Sequence, residues 1–330
     1  MGPVGNEWGV GKTMKALINK LLLRKVTHGL QAGICWNSRG VGMVAVSGIE
    51  KQGLPEIKVQ LWQAWDGPQG KAALLYGLAT EHGLLKIPFN FCLDSESYEI
   101  FPNEAADVDK KELASAMKWI IRDRLHCPVD EAVVDCFYIP DPIRVLPQRR
   151  VYVVATERKV IQEQLNILRP SRLRLQAIEV PELALNNLMA YLPESKHGVA
   201  LLYYPPEREN GILLIAREGN LYFTRRVRAL TESAEESLPL LDMIAGEIQR
   251  ALDFVEATFT QSAVEVLYLL HDPEREDGLR EALAQRLGVR LKRLRAQQFL
   301  SAEQEVEDRA FFHLLPALGE ALRPVEVEAA

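Results

Sequence analysis

The sequence predicts an α/β protein with two similar lobes that face each other across a cleft. The first observation is that a triplet of short strands occurs twice. The six strands are Ala32–Trp36, Val41–Val46 and Val59–Trp62, then Val199–Tyr204, Ile212–Ala216 and Leu221–Val227. The second observation is that strands and helices alternate after each triplet, which is typical of layered α/β domains.

Between the triplets, apolar residues recur at helical spacing from Asp107 to Leu125, and Asp109 with Glu112 forms a helix-capping pattern. Further elements follow in alternation. They are strands at Ala132–Ile139 and Val151–Ala155, a helix around Val160–Leu168, a strand at Leu173–Ile178 and a helix at Pro181–Tyr191.

The polar run Pro193–Gly198 marks the boundary between the lobes. The second triplet is followed by a long helix with a continuous apolar stripe. The elements expected after that triplet are a helix at Ser237–Phe259, a strand at Val264–Leu270, a helix at Asp277–Leu287, a strand at Val289–Leu294 and a helical region at Ala302–Leu322 that is broken at Pro316.

The composition is that of a soluble globular protein: 330 residues, 48% hydrophobic, 25% charged, with a net charge of −6. The negative charge argues against nucleic acid as a partner. The four cysteines lack CxxC spacing and the six histidines lack an HExxH pattern, so we expect no metal site. Neither a transmembrane run nor a secretory signal is found, and the expected compartment is the cytoplasm.

The N-terminus contains a run that resembles a phosphate-binding loop, Asn6–Thr13, which ends in Gly-Lys-Thr. It begins with Asn6 rather than glycine and no strand precedes it, so we interpret it as a chance match. Met14–Lys25 has the apolar spacing of an amphipathic helix. Its basic residues fit either an anionic membrane surface or a docked helix. These residues are Lys15, Lys20, Arg24 and Lys25. Translation from Met1 and from Met14 both remain open.

The middle third carries a family resemblance. The segments are Tyr98–Ile100, Val108–Asp123, Pro128–Asp135 and Ala177–Leu188. They resemble the MshI-type biogenesis proteins of the mannose-sensitive haemagglutinin (MSHA) pilus. Those proteins are relatives of PilM, the cytoplasmic actin-like (ASKHA) component of type IV pilus machines. The similarity runs from about Met14 to about Arg323.

The resemblance implies an actin-like, ribonuclease-H-like fold of two lobes with a small α+β subdomain inserted in the first. We place a leader and basic helix at 1–25, the first lobe at 26–195 with the insertion at about 50–148, the second lobe at 196–325, and a tail at 326–330. Such proteins hold ATP and magnesium in the cleft, where an Asp-x-Gly-Ser hairpin organises the metal and the phosphates.

This chain departs from that pattern at each expected position of the nucleotide cleft. In the first hairpin, Cys35 replaces the aspartate, Asn37 the glycine and Gly42 the lysine, while Ser38, Arg39 and Gly40 still permit a turn. The second hairpin reads Tyr203-Tyr204-Pro205-Pro206, and prolines offer no N–H to a phosphate. His271-Asp272 replaces the adenosine-contacting Gly-Gly pair.

These departures predict a protein without catalytic residues, most simply a pseudo-ATPase that holds no cofactor. The expected role is a cytoplasmic scaffold of an MSHA-like pilus machine, at the cytoplasmic face of the inner membrane. The resemblance implies as its partner the N-terminal peptide of a single-span membrane protein of the PilN or MshJ kind, and a homodimer is possible. The alternative is an ATP-binding switch, an active actin-like ATPase with Mg-ATP, in pilus or type II secretion assembly.

Overall fold

The computed structural model describes residues 29–48, 55–65, 70–141, 148–206, 208, 210–228, 238–259, 263–295, 301–302 and 308–324. The Gly-Lys-Thr run, the basic helix predicted at Met14–Lys25 and the tail predicted at 326–330 lie outside these residues. Lys15, Lys20, Arg24 and Lys25 therefore stay predictions. Within the described part of the chain, no helix is both long and apolar enough to cross a membrane.

The described chain alternates strands and helices, as the sequence predicts. The strands are β1 Leu30–Trp36, β2 Gly40–Ser47, β3 Glu56–Ala64, β4 Pro88–Cys92, β5 Glu99–Glu104, β6 Ala132–Tyr138, β7 Arg150–Glu157, β8 Arg174–Glu179, β9 Val199–Tyr203, β10 Gly211–Arg217, β11 Asn220–Val227, β12 Val266–Leu270, β13 Arg290–Arg293 and β14 Ser301–Ala302. The α-helices are α1 Lys71–Glu81, α2 Lys110–Ile120, α3 Arg158–Leu168, α4 Pro181–Met189, α5 Leu238–Phe259, α6 Pro273–Ala284 and α7 Asp308–Ala321.

Two sheets repeat one topology. The first has the order β14-β3-β2-β1-β4-β8 and the second has the order β11-β10-β9-β12-β13. In each, an antiparallel three-strand meander continues into strands parallel to its first strand. Apart from the short strand β14, which adds to the edge of the first sheet, each sheet therefore runs 3-2-1-4-5 when its own strands are numbered along the chain. The paired triplets of the sequence are the meanders of these two sheets.

A third, three-stranded sheet, with the order β5-β7-β6, is inserted between β4 and β8 of the first lobe. It spans Glu99–Glu157 and packs on the apolar face of α2, which buries Leu113 and Met117. The insertion expected at about 50–148 is thus placed too early, because β3 and β4 pair within the first lobe's own sheet. Asp109 caps α2 by position, but its side chain makes no capping hydrogen bond.

Helix α7 returns from the end of the chain to the first lobe and packs on β1. Two glycines permit this approach: a Cβ at Gly33 would overlap the carbonyl oxygen of Ala317, and a Cβ at Gly319 would overlap that of Ala184 in α4. The predicted break at Pro316 is wrong, because α7 continues through this residue. Buried side chains before and after the proline hold both halves of the helix in place. They are Phe311, Phe312, Leu314, Leu315, Ala317 and Leu318.

Candidate functional site

The turns of the two hairpins meet at a cleft between the lobes. Two adjoining cavities lie there, of about 50 Å³ and about 400 Å³, and both are lined by Pro205, Pro206, Arg208 and His313. The cleft residues predicted from the sequence are largely brought together. Cys35 and Asn37 line the smaller cavity, Arg39, Tyr204, His271 and Asp272 line the larger, and Pro205 lines both, whereas Ser38 and Gly40 line neither.

The first turn satisfies its own backbone donors. The Asn37 side-chain oxygen accepts hydrogen bonds from the N–H of Arg39 (2.9 Å) and of Gly40 (3.2 Å). The Asn37 carbonyl accepts from the Trp65 indole (2.8 Å), which fixes the turn against the residue that follows β3. A phosphate would need those two N–H groups. The asparagine therefore occupies the place that an anion would take.

Cys35 lies where the resemblance expects a metal-organising carboxylate. It is buried, and its Sγ lies 3.7 Å from the His313 carbonyl oxygen of α7. Burial raises the pKa of the Cys35 thiol to about 12, so the side chain is neutral at physiological pH. A neutral thiol is a poor partner for magnesium, which prefers oxygen ligands. Within the described residues no group of histidine, cysteine and carboxylate side chains suits a metal ion.

The phosphate end of the cleft is filled by side chains that come from α7 and β3. The His313 ring stacks on Trp62 with 4.7 Å between ring centroids. Gly42 faces the same packing, since a Cβ there would lie 2.9 Å from Leu314 Cδ2 and 3.1 Å from Cys35 Sγ. The lysine expected at this position has no room. A cavity of about 50 Å³ accommodates water molecules but not a triphosphate.

The second turn also lacks backbone donors for a phosphate, but for a different reason. Pro205 and Pro206 offer no N–H, and the Tyr204 ring packs against His271 with 5.3 Å between centroids. Asp272 accepts a hydrogen bond from the N–H of Glu274 (3.0 Å) and so caps α6. Burial lowers the pKa of His271, which keeps this imidazole neutral. The carboxylate nearest the expected adenosine motif is thus committed to a helix terminus.

A larger cavity, of about 450 Å³, lies on the other side of the segment that joins β4 to β5. We call it the groove. Its apolar wall comes from Leu125, Ala155 and Val160, and its polar wall from both lobes. The polar lining residues are Ser95, Glu96, Ser97, Glu99, His126, Thr156, Glu157, Arg208, Asn210 and Arg226. The groove therefore combines apolar surface with hydrogen-bonding groups and charges of both signs.

Sequence reasoning missed the residues that tie the cleft and the groove together. Arg208 ion-pairs with Asp94 and with Glu96 (2.7 Å for Nη1–Oε2), although more than 100 positions separate it from either acid. The sequence predicts a strand at Trp62 and a helix at His313 but indicates no role for either side chain. Contacts at such separations leave no local signal, because they depend on how two sheets pack together.

Comparisons with known proteins agree with the repeated topology. No family model matches the chain, and the search of curated proteins gave no match. Among solved structures, the chain is similar to one from the PilM-PilN type IV pilus biogenesis complex, with a TM-score of 0.67 and 20% identity over 89% of this chain and 99% of that chain.

Two further structures match at lower TM-scores. One is the cytoplasmic domain of EpsL, an inner membrane component of the Vibrio cholerae type II secretion system, with TM-score 0.46 and 11% identity over 87% of this chain and 94% of that one. The other is a Bacteroides thetaiotaomicron protein with an actin-like ATPase fold and unknown function, with TM-score 0.45 and 7% identity over 82% and 92%. The predicted fold, actin-like α/β with two lobes, is confirmed.

Proposed function

We propose that this chain is a non-catalytic scaffold of a type IV pilus machine, of the MSHA kind, at the cytoplasmic face of the inner membrane. Its partner is the N-terminal peptide of a single-span membrane protein of the PilN or MshJ kind. The observation that carries the proposal is a contrast. The cleft cavity beside Cys35 and Asn37 is closed to about 50 Å³ and the adjoining one of about 400 Å³ has a mainly charged and polar lining, whereas the groove of about 450 Å³ combines apolar with polar walls.

The similarity in fold to a chain from the PilM-PilN complex supports a peptide partner of this type. The groove has the size of ordinary ligand sites, which is about 300–1,000 Å³. Leu125, Ala155 and Val160 give it an apolar wall. A short peptide docks into such a groove by burying apolar side chains and by hydrogen bonding to polar groups at its rim.

A calorimetric titration tests the proposal with a synthetic peptide that covers the cytoplasmic N-terminus of the single-span protein encoded beside this chain. We expect saturable one-to-one binding. Val160→Trp, which fills the groove, should abolish it. Gln162→Trp is the matched control, because Gln162 is exposed and lies about 200° around the same helix, α3. Wild-type protein that gives no heat with the peptide would overturn the proposal.

The second candidate is the ATP-binding switch, and one observation favours it. The cavity of about 400 Å³ in the cleft is lined by three arginines, Arg39, Arg208 and Arg275, which outnumber the carboxylates Asp272 and Glu274 of the same lining and so suit an anion. The closed phosphate end argues against a triphosphate with magnesium. Titration with Mg-ATP separates the candidates: a scaffold gives neither heat nor thermal stabilisation, and a switch gives both.

A further inference from the structure

Two arginines of the second lobe reach across the joint to one short segment of the first lobe. This segment, residues 94–98, joins β4 to β5. Arg226 lies on β11, and Arg208 lies in the connection between β9 and β10. Both side chains are largely buried, with 31% and 24% exposure. Removing one partner of a shielded ion pair is costly, because it leaves the other charge without compensation.

Arg226 makes the more extensive set of contacts. Its Nη2 donates to the Ser95 carbonyl (2.9 Å) and to the Tyr98 hydroxyl (2.8 Å), and lies 3.2 Å from Oε1 of Glu182. Its guanidinium also lies over the Tyr98 ring, 5.2 Å from the centroid. One side chain of the second lobe thus contacts the 94–98 segment at two residues and helix α4 at a third.

Glu182 shows why Arg226 is needed. Its side chain has no exposed surface, and it accepts a hydrogen bond from the Tyr98 hydroxyl. Burial raises the pKa of Glu182, while the charge of Arg226 and the Tyr98 hydrogen bond oppose that rise. Without Arg226 the carboxylate is buried and loses the cation that pairs with it among the residues the structure describes. The first lobe therefore holds an acid that is best satisfied when the second lobe is in place.

Arg208 holds the same segment from its other end. Its two terminal nitrogens contact different carboxylates, Nη2 that of Asp94 and Nη1 that of Glu96, so one guanidinium bridges both acids. The contacted segment is also a wall of the groove, which is lined by Ser95, Glu96 and Tyr98 together with Arg208 and Arg226. The groove is consequently a joint surface of the two lobes rather than a feature of the first lobe alone.

We infer that Arg226 and Arg208 form an inter-lobe latch, which holds the lobes together without nucleotide and couples their closure to occupancy of the groove. The coupling rests on the proposed function, since it assumes that the groove binds the partner peptide. The latch itself does not depend on the proposed function, because its contacts are made without any peptide. Coupling between two equilibria is reciprocal. A substitution that loosens the contact between the lobes must therefore weaken binding of the peptide, and bound peptide must stabilise that contact.

The test compares Arg226→Gln with Arg225→Gln. Arg225 is the adjacent, exposed arginine on β11 and serves as the matched control. The first measurement is hydrogen exchange of the β11 amides without peptide. We expect Arg226→Gln to speed this exchange about tenfold, as local opening of the joint predicts, and Arg225→Gln to leave it unchanged. Equal exchange in wild type and Arg226→Gln would overturn the latch.

The second measurement is the dissociation constant of the synthetic N-terminal peptide. Arg226→Gln should weaken binding about fivefold or more. Arg226→Lys keeps the charge but loses the planar guanidinium that lies over Tyr98, so its dissociation constant should lie between those of the wild type and Arg226→Gln. Faster exchange with unchanged affinity would overturn the coupling. Faster exchange in a protein whose wild type ignores the peptide would overturn the proposed function and leave the latch standing.

If Arg226→Gln fails to fold, the double variant Arg226→Met, Glu182→Gln replaces it. This variant removes the buried charge together with its partner, so no unpaired carboxylate remains. It should fold and still show the faster exchange of β11. Exchange as slow as in the wild type would overturn the latch.

Discussion

The cleft and the groove both lie between the same two lobes, yet the side chains that line them are arranged differently. In the cleft, Trp62 stacks on His313 and Asn37 satisfies its own turn, so the phosphate end is packed and self-sufficient. In the groove, the polar and charged residues of both lobes border open space. The difference teaches that one fold can join two lobes with very different chemistry at each part of the joint, and that binding of a peptide is expected where open space has both apolar and polar walls.

The largest effect on stability is expected from a substitution that removes the space in which α7 packs on β1, because α7 carries His313 to the cleft. Gly33→Ala places a Cβ against the Ala317 carbonyl and 2.6 Å from Glu320 Cβ. We expect a loss of about 3 kcal/mol or more in the free energy of unfolding, since overpacking here meets backbone. Urea unfolding measures it. The control is Gly77→Ala in α1, where nothing lies within 4 Å and a gain of up to about 1 kcal/mol is expected.

The buried acid of α7 should give the next largest effect. Glu320 is fully buried, and burial, then the charge of Glu179, raise its pKa well above 4.5, while Arg323 opposes them. The folded state thus holds this proton more tightly than the unfolded state. Stability is fully present below the ordinary pKa and declines as the pH rises, by up to about 1.4 kcal/mol per pH unit.

Glu320→Gln removes this titration and should flatten the dependence of unfolding free energy on pH between 5 and 8. Urea unfolding at several pH values measures the slope. Glu163→Gln, at an exposed position of α3, should leave the slope as in the wild type. Parallel slopes for Glu320→Gln and the wild type would show that Glu320 ionises normally in the folded protein.

Asp272 tests whether a carboxylate of the cleft stabilises a helix or serves a magnesium ion. Its carboxylate caps α6, so Asp272→Ala should cost about 1 kcal/mol of unfolding free energy, and Asp272→Asn should cost much less. A carboxylate reserved for magnesium would behave differently, with the alanine variant stable and any Mg-ATP response lost. Thermal unfolding with and without Mg-ATP separates these results.

Asn37 should give the smallest effect. Asn37→Gly restores the glycine that the family resemblance expects but removes two side-chain hydrogen bonds, so we expect a loss of about 0.5 kcal/mol. The variant should still ignore Mg-ATP, because Trp62 and His313 fill the space beyond the turn. Asn37→Asp keeps the acceptor and should match the wild type in stability. Heat from Mg-ATP with Asn37→Gly would show that the turn alone blocks the cleft.

Much of the fold was predictable because strands and amphipathic helices leave local patterns. The six meander strands were found within about three residues of their ends. Elements with weaker patterns were missed: α1 has buried residues only at Leu75 and Ala79, and β4 begins at a proline. The helix break predicted at Pro316 was wrong because tertiary packing outweighs the low helix propensity of proline at this position.

The site was predictable only where it follows from the hairpins. Positions such as Cys35, Asn37 and Pro205 could be placed in the cleft because each lies at or just beyond the end of a hairpin strand, where the family resemblance expects the nucleotide. Arg226, Glu182 and Arg208 had no such marker, since each is a charged residue in an ordinary strand, helix or connection, with no motif around it. Their roles arise from pairing across more than 40 residues of sequence, which only the packed structure specifies.

The central claim is that ligands bind in the groove and not in the cleft. Hydrogen exchange of the full chain, with the partner's N-terminal peptide and separately with Mg-ATP, tests it most directly. The peptide should protect amides at 95–99, 125–127 and 155–160, and Mg-ATP should protect none at 36–40 or 271–275. Protection of the cleft amides by Mg-ATP, with the groove unaffected by peptide, would contradict the claim.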